Sequence, residues 1–98
     1  MADKIRDEQT DYLFKAILTL NDLDECYAFF EDLCTISEIR EMAKRLTAAR
    51  MLNNNYIYSE IAEKTGLSTA TISRVNRCLQ YGDGGYSLAL DNKDSEAE

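Results

Sequence analysis

Apolar residues recur along this chain at intervals of three and four, and nowhere alternate long enough to suggest a strand. Tyr12, Leu13, Ala16, Ile17 and Leu20 predict a first amphipathic helix over residues 7–20. Asn21-Asp22 interrupts it. Asp22 or Asp24 can cap a second helix over 23–33, which carries Tyr27, Phe29, Phe30 and Leu33 for a core or a dimer interface. Thr35 followed three residues later by Glu38 has the form of a capping box. A long helix should run from there to about residue 52, with Ile39, Met42, Ala43, Leu46, Ala49 and Leu52 as its apolar stripe. Asn53-Asn54-Asn55 ends it, because asparagine tolerates turn and left-handed backbone. Two short helices follow, over 58–65 and 68–79. Then come a loop at 81–85 and a short closing turn at 86–90. The polar, acidic stretch 91–98 reads as a disordered tail.

Composition fits an all-α chain. There is no proline, and three of the four glycines fall together at Gly82, Gly84 and Gly85. The 98 residues suffice for one all-helical domain, 1–90, with a modest core that calls for a partner subunit. The chain has no histidine. Cys26, Cys34 and Cys78 form no Cys-x-x-Cys pair, so they read as buried or half-buried free thiols. No metal and no cofactor is expected. No apolar run approaches a membrane span, and residues 1–11 are charged rather than signal-like, so the protein reads as cytoplasmic, without a membrane partner. An enzyme finds no support, since there is neither a glycine-rich phosphate loop nor a paired-carboxylate motif.

The net charge of −7 argues against nucleic acid until its distribution is considered. Residues 1–32 hold nine acids and three bases, and residues 82–98 hold five acids and one base. Residues 33–81 hold four acids and seven bases. The positive charge is therefore central, with acidic ends that should sit away from DNA.

That central region contains the most constrained stretch, residues 58–75. Ala62 is small where a second helix must cross closely. Gly66 can take the positive φ of a tight turn, and Ser68 can cap the next helix. Ile61, Leu67, Ile72 and Val75 form an apolar wedge that sets the crossing angle. These features make residues 58–79 a helix-turn-helix, with its second helix shaped for a major groove. Ser68, Thr69, Ala70, Thr71, Ser73, Arg74 and Arg77, with Lys64 on the first helix, are the candidate DNA contacts.

Residues 35–79 resemble the Trp repressor superfamily, and within it the small Trp-repressor-related regulators of Gram-positive bacteria. The resemblance rests on Ser-Glu-Ile-Arg-Glu-Met-Ala-Lys-Arg (37–45), Ser-Glu-Ile-Ala (59–62) and Thr-Ala-Thr-Ile-Ser-Arg-Val (69–75), with Tyr81-Gly82 and Gly85-Tyr86 beyond. It implies an intertwined helical homodimer whose two reading helices face successive major grooves of double-stranded DNA. It also implies an effector pocket at Thr35, Arg45, Thr71, Arg74 and Val75. The repressor has glycine where this chain has Val75, so an indole meets a branched side chain and tryptophan is not the expected ligand. Ala62 and Gln80 stand where the repressor carries cations, which lowers the expected affinity for phosphate. Plainer readings stand beside these: Thr35 as a helix cap, Arg45 as the i,i+4 ion-pair partner of Glu41, and Arg74 as a solvated side chain.

The expectation is a sequence-specific transcriptional regulator, most simply a repressor. The alternative is a module whose helix-turn-helix docks another protein, favoured by the acidic flanks and the missing cations.

Overall fold

Six α-helices and one short turn of 3-10 helix make up the regular structure of the described residues. A computed structural model describes residues 2–97, with the surroundings of side chains for residues 4–91. After the 3-10 turn at Ala2–Ile5 come α1 (Glu8–Ile17), α2 (Leu23–Leu33), α3 (Ile36–Asn53), α4 (Tyr58–Thr65), α5 (Thr69–Tyr81) and α6 (Gly85–Ala97).

Side-chain caps fix where these helices begin. Asp7 accepts from the Thr10 N–H at 2.7 Å, so it caps α1 rather than opening it. The hydrogen bonds from Thr10 hold the Asp7 carboxyl below its ordinary pKa. Asp22, not Asp24, caps α2, accepting from the Glu25 N–H at 2.8 Å, while Glu25 accepts from the Asn21 N–H at 2.8 Å. Both bonds of the Thr35–Glu38 capping box form: Glu38 N–H to Thr35 Oγ1 at 3.1 Å, and Thr35 N–H to Glu38 Oε1 at 2.9 Å.

The helix ends carry their own logic. α1 stops at Ile17, short of the expected residue 20. The N–H groups of Thr19 and Leu20 turn back to carbonyls three residues earlier, and the Thr19 hydroxyl donates to Ala16 O at 2.6 Å. Of the three asparagines after α3, Asn55 takes the left-handed conformation, at φ 68°. The Tyr56 N–H reaches Met51 O and the Asn55 N–H reaches Leu52 O, the two bonds of a Schellman motif, with asparagine in glycine's usual place. α6 is far longer than the closing turn expected at 86–90. Its backbone continues to Ala97 through the stretch read as a tail, because no glycine or proline follows Gly85 to stop propagation. Glu98 lies outside the described residues.

The described chain divides into two compact units, Met1–Ile39 and Arg40–Glu98, where the sequence suggested one domain over 1–90. The difference follows from burial. Neither α1 nor α2 has a buried residue. Phe29 and Phe30 meet edge to face, with centroids 5.3 Å apart, but both are only half-buried. The second unit owns the core: Ala48, Ala49, Ile61, Leu67, Ile72, Val75 and Leu90, with Met51, Leu52, Tyr58, Ala62, Leu79 and Tyr86 packed around it.

The α3 stripe is corrected in the same way. Ala48 and Ala49 are sealed, whereas Met42 and Leu46 remain exposed at 40% and 43%. The small side chains at the C-terminal half of α3 join the core of the second unit, and among the described residues none covers Met42 and Leu46 fully. Cys26 and Cys34 are half-buried, but Cys78 is exposed on α5, contrary to the expectation of covered thiols. Among the described residues no helix is long and apolar enough to cross a membrane.

Candidate nucleic-acid interface

The site is a pair of short helices held at a fixed angle by one turn. α4 ends at Thr65, and Gly66 follows at φ 77° with its N–H bonded to Ala62 O at 2.8 Å. A Cβ on Gly66 would meet no atom within 4 Å, so backbone conformation, not space, demands glycine here. Ser68 then caps α5, accepting from the Thr71 N–H at 3.1 Å. The Ser68 hydroxyl donates onward to Thr71 Oγ1, also at 3.1 Å. All four wedge residues named from the sequence, Ile61, Leu67, Ile72 and Val75, are buried in the core cluster.

Two polar contacts that sequence reasoning missed complete the turn. Thr65 is buried, and its hydroxyl donates to Ile61 O at 2.8 Å while accepting from the Leu67 N–H at 3.2 Å. One side chain thus satisfies the helix end and the turn together. The signal was available: a threonine in the last helical position before a glycine can bond back four residues. Asn76 on α5 donates from Nδ2 to the Tyr58 hydroxyl on α4 at 3.1 Å. That bond joins residues too far apart in sequence to be paired by periodicity. At the other end of α4, Glu60 accepts from the Ile57 N–H at 3.0 Å, a capping box with only its carboxylate half, since an isoleucine side chain has no acceptor.

The candidate DNA contacts gather on and around α5. Ser68, Thr69, Ala70, Arg74 and Arg77 are exposed, Thr71 and Ser73 are half-buried, and Lys64 is exposed near the end of α4. The exposed groups are hydroxyls, a methyl and guanidinium forks, the chemistry of base edges, thymine methyls and phosphates.

Of the candidate effector residues, Thr35, Thr71 and Val75 are engaged within the fold. Thr35 lies in the first unit and is engaged in the α3 capping box. In the second unit, Arg45 is half-buried, and Glu41 pairs instead with Lys44, at 3.7 Å. The Thr71 hydroxyl receives Ser68, Arg74 is exposed, and Val75 is 2% exposed within the core. Among the described residues no cluster of three or more acids, cysteines or histidines has the geometry for a metal ion.

With this geometry defined, comparison with known proteins gives a consistent result. The family model for the Trp repressor protein matches residues 8–94. The chain is 56% identical over 97 residues to the uncharacterized protein YerC of Bacillus subtilis (strain 168), covering 98% of this chain and 93% of that one. It is also similar to the crystal structure of a TrpR-like protein from Eubacterium eligens ATCC 27750. There the TM-score is 0.90 at 51% identity, covering 94% of this chain and 95% of that chain.

Thr65→Val keeps the shape of the side chain but removes the hydroxyl, leaving the Leu67 N–H without its acceptor. The variant should lose about 1–3 kcal/mol of stability, read as a lower midpoint in urea unfolding at unchanged slope. An unaltered midpoint would mean that the turn does not depend on this bond.

Proposed function

The chain belongs to the Trp repressor family, and from that premise we propose that it is a homodimeric, sequence-specific DNA-binding regulator of transcription, acting as a repressor in the bacterial cytoplasm. The observation that carries this reading is the row of exposed Thr69, Ala70, Arg74 and Arg77 on a helix whose opposite face is anchored by Ile72 and Val75. A reading helix must be rigid on one side and chemically specific on the other, and α5 is both. Ser68, Thr71 and Ser73 contribute at its N-terminal end, and Lys64 contacts phosphate beside the turn. The duplex is read by α5 in the major groove, with phosphate contacts fixing orientation and base contacts carrying specificity.

Two copies act together in this proposal. The first unit cannot bury its own apolar surface: Leu18 is 82% exposed, Tyr12 78% and Leu23 71%. Apolar surface of this extent on two neighbouring helices is characteristic of an interface. A symmetric dimer presents two reading helices about 34–36 Å apart, one turn of duplex.

Tryptophan is not the effector in this proposal. Val75 occupies core volume with Ile72 and Leu90, and the Thr71 hydroxyl already has a partner. DNA reading needs no small ligand in this proposal.

Three measurements test the proposal. Duplexes selected from genomic fragments at low salt should be bound specifically. Arg74→Ala should weaken that binding by about 5- to 150-fold, the equivalent of a charge-assisted contact worth about 1–3 kcal/mol, while Lys93→Ala, in the acidic C-terminal sequence, should leave it unchanged. Equal binding by the two variants would remove α5 from the interface. Binding of a protein but of no duplex would favour the docking module instead. Sedimentation equilibrium at micromolar concentration should return twice the chain mass, and a folded monomer would defeat the dimer. Titration calorimetry with L-tryptophan should give no measurable heat of binding. A micromolar dissociation constant accompanied by tighter DNA binding would restore the corepressor model.

A further inference from the structure

The second unit holds another concentration of positive charge, away from the exposed face of α5. A cavity of about 330 Å³ between α3 and α4 is lined by Arg40, Ala43, Lys44 and Thr47 from the first helix and by Lys64 and Thr65 from the second. The α3 residues follow i, i+3, i+4, i+7, so they form one stripe turned toward α4. Three cations line this wall, and no carboxylate does. Among the described residues neither Arg40 nor Lys64 has an ion pair. Lys44 meets Glu41 at 3.7 Å, but both side chains are about half exposed. A pair of that kind contributes little and yields to a stronger anion. In a chain of net charge −7, three cations around one concavity run against the overall balance.

The position of the cavity indicates which anion it suits. Thr65, at its floor, also holds the Leu67 N–H of the turn, and Ser68 caps α5 immediately afterwards. The groove therefore opens beside the entry to the reading helix. In a docked helix-turn-helix the first helix crosses the sugar-phosphate backbone while the second enters the groove. A strand running past the start of α5 has Lys64, Lys44 and Arg40 beside it in one groove. A larger neighbouring cavity, of about 700 Å³, shares Thr47 and Lys64 and adds Arg50, but brings Glu60 and Glu63 into its lining. Those acids offset its cations and leave the smaller groove, whose charged lining residues are all cations, as the place for phosphate.

We propose that the Arg40–Lys44–Lys64 groove is a second DNA-backbone site, holding phosphodiester oxygens that flank the bases read by α5. The proposal rests on the DNA-reading function above and extends the contact surface from α5 to α3. Phosphates at this site contribute affinity and salt dependence, not sequence choice.

The test is the salt dependence of binding to a selected duplex, measured from about 50 to 200 mM salt, where each phosphate contact contributes about 0.9 to the slope of log K against log salt. Arg40→Gln combined with Lys44→Gln, the two groove cations not already assigned to DNA contact, should lower that slope by about two and keep the order of preference among duplexes. Ala43→Lys adds a cation to the same wall and should steepen the slope by about one, a gain that misfolding cannot mimic. Unchanged slopes in both variants, with wild-type binding intact, would overturn the groove and leave the reading of DNA by α5 standing. A parallel titration of the wild-type protein with inorganic phosphate, followed by amide chemical shifts, separates the remaining cases. Shifts at Arg40 and Lys64 without binding to any duplex would make the groove a free-anion site and overturn the proposal as stated. Binding of neither would overturn both readings.

Discussion

The geometry of the helix-turn-helix depends on one core cluster in which Ala48 and Ala49 of α3 are sealed together with residues of α4, α5 and α6. Both residues are sealed from solvent, and their methyl groups are small enough for Ile61, Ile72 and Val75 to converge in one cluster with Leu90. Burying a side chain the size of isoleucine contributes about 1.5–3 kcal/mol, so the few large members of this cluster carry much of the unit's stability. The same cluster fixes the orientation of α5. With Ile72 and Val75 directed inward, helical geometry turns Ala70, Arg74 and Arg77 outward. Packing and recognition are two faces of one constraint, and a larger residue at 48 or 49 would tilt the reading face as well as weaken the core.

The turn adds angular precision to that packing. Gly66 supplies the left-handed backbone, Thr65 satisfies a carbonyl on one side and an N–H on the other, and Ser68 begins the next helix. Asn76 and Tyr58 then tie the two helices together away from the turn. Each bond is of ordinary strength, about 0.5–1.5 kcal/mol net. Their value lies in closing the alternatives: a helix pair fixed at the turn and at a second point has little freedom to hinge.

The two units contrast in what they complete by themselves. The second has a core, capped helices and a satisfied turn. The first has well-capped helices and no core. Asp7 and Asp22 define helices whose apolar residues remain in solvent within one chain. Local signals suffice to start a helix, but its persistence in water depends on something covering its apolar face. Charge is also unevenly distributed along the chain. Acids dominate residues 1–32, whereas the bases are concentrated in residues 33–81, so the segment with the reading helix is also the one a polyanion would approach.

Much of this was legible in the residues alone, because its causes are local. Caps, the asparagine stop after α3 and the glycine of the turn are decided by neighbours within four residues. The helix-turn-helix pattern marked Ile61, Leu67, Ile72 and Val75 as the wedge, and the family signature at 37–45, 59–62 and 69–75 pointed to the fold that the relatives share. What the sequence did not contain depends on residues that meet only after folding. It placed Ala49 on one stripe with Met42 and Leu46 and left out Ala48, because the period marks an apolar face without saying which part of it is covered. It could not pair Asn76 with Tyr58, or bring Lys64 to the wall formed by Arg40 and Lys44. Sequence periodicity assigns a side chain to a face of its own helix; only the packing of that helix against others determines whether the face meets solvent, a partner group or the protein interior.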